Sequence, residues 1–155
     1  MKKNSILLVL LVLVILMTGY FIYTSRIKRG SEITKTEKMK STGDKEINNL
    51  ITILIKSMED YMKQGNPSYT QNEINECAEL LSDYSTAIFK THSKEEAIPI
   101  VKSTVLKLNT LNEKCNFSLI ETNEREQIIE ILILVGNKMK YNSIDEDITQ
   151  EWREW

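Results

Sequence analysis

The chain is 155 residues long, enough for one domain, and carries 20 Lys and Arg against 22 Asp and Glu. The first 30 residues hold five bases and no acid, so the remaining 125 carry 15 bases against all 22 acids, a net charge of −7. Such an excess of carboxylates repels phosphate backbones, which excludes nucleic acid as an expected partner, and it attracts basic surfaces as well as keeping a small domain soluble.

Asn4 to Ser25 is a stretch of 22 residues without a charge, and Ile6 to Leu16 within it are eleven consecutive aliphatic residues. At about 1.5 Å per residue such a helix spans roughly 33 Å, matching a hydrocarbon core of about 30 Å. Tyr20 and Tyr23 fall at headgroup level, and Arg26, Lys28 and Arg29 stop the segment. Residues 1–29 therefore read as a single transmembrane anchor with basic flanks, contacting the bilayer through Ile6 to Tyr23, and the protein as a single-pass membrane protein. A cleaved secretory signal shares the basic start and apolar middle, but its exit wants small residues at −3 and −1. Cleavage after Gly19 would leave Met17 at −3, and cleavage after Ser25 would leave Tyr23 there. Lys2 and Lys3 at one end against three bases at the other leave the orientation open.

Residues 30–43 mix Ser, Thr and alternating charges with isolated Ile33 and Met39, and read as a polar tether. Residues 44–155 read as a helical bundle domain with a docking C-terminal tail. A first helix is expected over about Lys45 to Gln64, with Asp44 as N-cap, and Gly65, Asn66 and Pro67 ending it. Its Ile47, Leu50, Ile51, Leu54, Ile55, Met58 and Met62 recur at three and four, one apolar stripe. A second helix follows over about Gln71 to Lys90, opened by a Thr70–Glu73 capping box, with Ile74, Cys77, Ala78, Leu81, Tyr84, Ser85 and Ile88 facing inward. A third is expected over about Lys94 to Lys114, with Ser93 and Glu96 as another box. Pro99 would either kink it or leave 94–98 as a separate turn. Its stripe is Val101, Val105, Leu108, Leu111, Asn112 and Cys115. A fourth helix is expected over about Asn123 to Lys140, capped by Thr122 or Asn123. From Ile128 to Val135 only Glu130 is polar, so this helix reads as the central one. The fold class is all-α: one N-terminal transmembrane helix, then a small antiparallel bundle of about four helices.

Chemistry-bearing groupings are sparse. His92 is the only histidine and sits at a helix junction with no partner for proton transfer, so it reads as a solvated loop residue. Cys77, His92 and Cys115 lack ligand-like spacing, the glycines form no phosphate-cradling loop, and Glu73, Glu76 and Glu79 lack the Glu-x-x-His pattern of di-iron bundles. No catalytic residue, metal site or cofactor is expected. The two cysteines read as free thiols on apolar faces, with pairing in an oxidising compartment as the alternative.

Two segments stand out. Leu119 to Glu126 places Glu121, Glu124, Arg125 and Glu126 around a helix start, where acids suit the macrodipole and Arg125 does not. The C-terminus, Asp145 to Trp155, holds both tryptophans of the chain, and such rings are costly to leave in water. Ile148, Trp152 and Trp155 either fold back onto the bundle or form a partner hot spot.

Leu111-Asn112-Glu113-Lys114-Cys115, Leu119-Ile120-Glu121-Thr122 with Arg125-Glu126, and Asp147-Ile148-Thr149 with Glu151-Trp152-Arg153-Glu154-Trp155 resemble a family of small, uncharacterised bacterial all-helical proteins, over roughly residues 70 to 155. The family pattern has Asp after Glu-Thr, where this chain has Asn123. The resemblance implies origin and fold, not chemistry, and marks Glu121, Arg125, Glu126, Trp152 and Arg153, with Trp155 beside them, as a shared cluster. The resulting expectation is a non-enzymatic interaction domain at a membrane, binding a basic protein partner in an immunity-like manner. The alternative is a structural protein that self-associates as a homo-oligomer.

Overall fold

A computed structural model describes residues 41–155. The expected anchor, residues 1–29, and most of the expected tether lie outside the described residues. Among the described residues no helix is long and apolar enough to cross a membrane.

Four helices make up the described chain: α1 (Lys45–Gly65), α2 (Gln71–Ile88), α3 (Lys94–Lys114) and α4 (Thr122–Lys138). Their starts follow local hydrogen-bond chemistry. Asp44 Oδ1 accepts from the N–H of Glu46 and of Ile47 at 2.9 and 3.1 Å, satisfying two of the otherwise orphaned amides of α1. These bonds, led by that from Ile47, hold its carboxyl below the usual range, and Lys138 contributes further. The Thr70–Glu73 box of α2 forms in full. The box expected at α3 forms by half. Ser93 Oγ accepts from Glu96 N–H at 3.3 Å, but the Glu96 carboxylate reaches one residue further back, to His92 N–H at 2.8 Å.

Several boundaries differ from expectation. Residues 41–43 belong to the domain rather than the tether. Thr42 is buried, and its N–H and hydroxyl both bond Asn48 Oδ1 at 3.0 Å. α1 runs one residue further than expected, to Gly65, and is capped within the expected Gly65–Asn66–Pro67 stop by Asn66 in the left-handed region (φ 48°). α2 stops at Ile88 rather than Lys90, because the Thr91 hydroxyl donates to the Ile88 carbonyl at 2.7 Å. α4 starts one residue earlier than expected, with Glu121 in the N-cap position and no side-chain cap bond. Pro99 lies inside one continuous α3. Six residues past the cap, it lacks the N–H that would otherwise bond the Glu95 carbonyl, yet the helix runs on through it.

Successive helices run antiparallel, and the packing corrects the expected centre. α2, not α4, packs on all three other helices, and α1 also packs on α4. Every residue expected on the inner face of α2 is buried. Tyr84, at 2% exposure, donates its hydroxyl to the Leu132 carbonyl across the core at 2.9 Å. α4 is buried on most sides because the C-terminal tail covers the face the helices leave open. Lys138 ties the exit of α4 to the entrance of α1, with Nζ 3.1 Å from Asp44 Oδ2 and 2.7 Å from Glu46 Oε2.

The turn into the tail is keyed to Gly136. Asn142 is buried and donates from Nδ2 to the carbonyls of Ile133 and Ser143 at 3.1 and 2.8 Å. Its Oδ1 occupies the place a Cβ on residue 136 would take. Gly136→Ala should therefore destabilise the fold by about 1–3 kcal/mol, despite the roughly 1 kcal/mol that alanine gains within a helix. Thermal unfolding checks this, and in an Asn142→Ala background the penalty should largely vanish. An unchanged penalty there would show that the clash is not with Asn142.

Candidate interaction surface

The helix directions separate two ends. Ser41, the exit of α2, the entrance of α3 and the exit of α4 share one end. The opposite tip, about 30 Å away along a 21-residue helix, carries the exit of α1 and the α3–α4 turn.

At that tip the chain after α3 turns tightly. Asn116 and Phe117 are both in the left-handed region, at φ 52° and 59°, an uncommon conformation for a bulky ring. Asn112, 2% exposed, holds the turn by accepting from the N–H groups of Leu119 and Ile120 on one oxygen, at 3.2 and 2.9 Å. Ser118 Oγ accepts from Ser68 N–H at 3.3 Å, fastening the α1–α2 loop beside it. Between them lies a recess of about 160 Å³, lined by Tyr61, Tyr69, Ser118, Glu121, Asn123 and Glu124. Tyr69 donates its hydroxyl to the Met58 carbonyl at 3.1 Å. Burial, then the negative charges of Glu124 and Glu121 among others, push its pKa up to about 12. Tyr61 and Phe117 present their rings to solvent at this tip.

The tail adopts the folded-back arrangement. It runs from α4 along the opening between α3 and α4, with Lys94 Nζ on Glu146 at 3.1 Å near its start. Further on, Asn109 Nδ2 donates to the Trp152 carbonyl at 2.8 Å, and Asn109 Oδ1 accepts from Glu154 N–H at 3.3 Å. Trp152 helps close an apolar void of about 40 Å³ together with Tyr84, Ile98, Val101, Gly136 and Ile148. Lys102 Nζ stands 5.8 Å from the Trp152 ring centre, and the Arg153 guanidinium 5.5 Å from that of Trp155.

Arg153 Nη1 also bonds Asp147 Oδ2 at 2.8 Å and Thr149 Oγ1 at 3.0 Å. Burial pushes the Asp147 carboxyl upward, but the bonds from Thr149 and Arg153 outweigh it, so its pKa lies below the usual range. A depressed carboxyl contributes stability above its unfolded-state value and loses it as pH falls through the folded value. The tail should therefore loosen at pH below about 4, the unperturbed carboxylate range. Both tryptophans report on it. Their emission should shift to the red in that window, and Asp147→Asn should flatten the shift.

Placement of the residues singled out in the sequence falls into two groups. Glu121, Arg125 and Glu126 lie at the start of α4, with Glu121 in the recess. Trp152, Arg153 and Trp155 lie in the tail against the bundle. Among the described residues no hydrogen bond or ion pair joins the two groups, and Arg125 makes no ion pair. Glu124, one of the charges expected around the helix start, joins Glu121 in the recess, while Tyr61 and Tyr69 complete it and carry no sequence signal beyond an aromatic near a helix end. Cys77 and Cys115 are buried free thiols, and burial raises Cys77 to about 12, far from a reactive thiolate. His92 is exposed, at the opposite end of α3 from Cys115.

No protein-family model, curated protein or solved structure gives a match to this chain.

Proposed function

We propose that this chain is a non-enzymatic interaction domain, held at a membrane by residues 1–29, that binds a basic protein partner. The observation that carries the reading is the recess at the tip. Two carboxylates and two tyrosines surround a space of about 160 Å³, room for the head of a lysine or arginine. Aromatic faces and carboxylates together suit a cation better than either alone. The rest of the domain reinforces this locally: residues 41–155 hold 12 Lys and Arg against 20 Asp and Glu. Such a field steers a basic partner toward the surface and sets its approach rate. The recess also lies at the end of the bundle opposite Ser41.

The test is a titration of the full chain with a labelled peptide of alternating lysine and leucine, at roughly 10 mM ionic strength, where the screening length is about 30 Å. Saturable binding is expected. It should weaken about tenfold in the Glu121→Gln/Glu124→Gln double variant, a loss of about 1.4 kcal/mol. Binding that persists undiminished in that variant would set the reading aside.

A further inference from the structure

We propose that the trough between α2 and α3 is a second docking site, which takes an amphipathic helix bearing leucine-like residues on one face and Asp or Glu along its edges. It stands apart from the recess at the tip and does not rest on the reading of that recess.

The trough arises from spacing. Along α3, Pro99, Ser103, Leu106, Thr110 and Lys114 recur at three and four, so they share one face. That face is neither the one α3 buries on α2 nor the one the tail covers. The small side chains of Ser103 and Thr110 leave a hollow, bounded on the α2 side by Leu80 and Glu76. The hollow has a volume of about 570 Å³ and is open along its length. From Pro99 to Lys114 the helix rises about 22 Å, the length of some four turns of a partner helix. The floor is apolar. Leu106 is 44% exposed, a large aliphatic side chain facing water from the middle of a helix. A strip of this kind is the usual seat of a helix laid into a groove.

Charge selects the occupant. Residues 41–155 are strongly acidic, yet the rim of this trough carries Lys102, Lys107 and Lys114 against the single acid Glu76. Lys114 Nζ already pairs with Glu76 at 3.3 Å and with Glu73 at 3.5 Å, so the rim cations left for a partner are Lys102 and Lys107. Lys102 Nζ stands 5.8 Å from the Trp152 ring centre, which favours its ammonium at this edge of the trough. Lys107 has no ion pair among the described residues. Lys102 and Lys107 stand about 7.5 Å apart along the axis of α3, which fits carboxylates repeated along a helix and not one compact anion. A second copy of this acidic domain would meet long-range repulsion, so the charge balance favours a different chain.

The experiment uses the full chain in nanodiscs of zwitterionic lipid, with empty nanodiscs as control. The probe is a fluorescein-labelled peptide of about 18 residues, with leucines at helical spacing and glutamates flanking them, and a counterpart with lysines in place of the glutamates. Anisotropy should show saturable binding of the Glu-flanked peptide, at least about tenfold tighter than the Lys-flanked one. Lys107→Glu and, separately, Leu106→Glu should each weaken it about tenfold, while Lys56→Glu on α1 leaves it unchanged. Lys107→Gln should fall between, and circular dichroism confirms that each variant is folded. Equal binding of the two peptides, or full binding by Lys107→Glu, overturns the proposal. So does a Leu106-dependent dimer in sedimentation, which assigns the trough to a second copy. Lys107-dependent binding to anionic vesicles without peptide binding assigns it to a lipid surface and overturns it equally. The Glu121→Gln/Glu124→Gln variant should bind the Glu-flanked peptide normally, which separates failure here from failure at the tip.

Discussion

Replacing Asn112 by leucine is expected to destabilise the domain by about 2–4 kcal/mol, although leucine suits a helix better and the site is almost dry. The reason lies in what the side chain accepts. One oxygen of Asn112 takes the N–H groups of both Leu119 and Ile120, and all three residues are buried. Leucine would leave two amides without water and without a partner, each costing about 1–3 kcal/mol. The same turn already holds Asn116 and Phe117 in the left-handed region, at a cost the two hydrogen bonds help offset. Asn112→Asp is the informative companion, because a carboxylate accepts the same two donors. At neutral pH it should retain much of the stability that leucine loses. Chemical denaturation of the full chain, followed by circular dichroism, distinguishes the three proteins. If Asn112→Leu unfolds at the wild-type midpoint, the turn is not held as described.

Removing the tail is the second large perturbation. A chain ending at Glu146 lacks Ile148, Thr149, Trp152 and Trp155, and uncovers Val101, Tyr84 and Gly136 beneath them. Buried aromatic truncations cost about 3–5 kcal/mol each, and these tryptophans are half-buried, so a combined loss of about 3–5 kcal/mol is expected. That is a large share of the roughly 5–15 kcal/mol that holds a domain of this size together. The bonds from Asn109 to Trp152 and Glu154 would go as well, leaving a buried amide unpaired. The prediction also separates the two roles open to the tail. If it exists chiefly as a partner hot spot, the truncated chain keeps its unfolding midpoint and loses only binding. If it completes the core, the midpoint falls and the helical signal melts earlier. The structure places it in the second role, because Trp152 and Ile148 fill the opening that α3 and α4 leave over α2.

Much of this architecture was legible in the chain itself. Asp44, Thr70 with Glu73, and Ser93 act within three residues of themselves, so a cap is a local fact that spacing reveals. The inner faces of α1, α2 and α3 followed from periodicity, because a helix winds at a fixed angle per residue and shows its buried side as a stripe. The acidic balance past residue 30, and Glu121 at the entrance of a helix, were equally visible.

What the chain could not disclose by pattern is what each stripe packs against. The dense apolar run of α4 pointed to a central helix. Yet α2 holds the middle and the tail supplies the cover, because a buried face looks the same whether helix or tail lies on it. The bonds from Asn112 to the turn, from Asn109 to the tail, and the fit of Gly136 to Asn142 join groups that only tertiary packing brings into register. The recess at the tip is assembled likewise, from the end of α1, the loop before α2 and the start of α4. Local sequence fixes where the backbone winds and which side sheds water. Only the three-dimensional arrangement decides which side chains meet, since that choice depends on shape and hydrogen-bond geometry between residues distant along the chain.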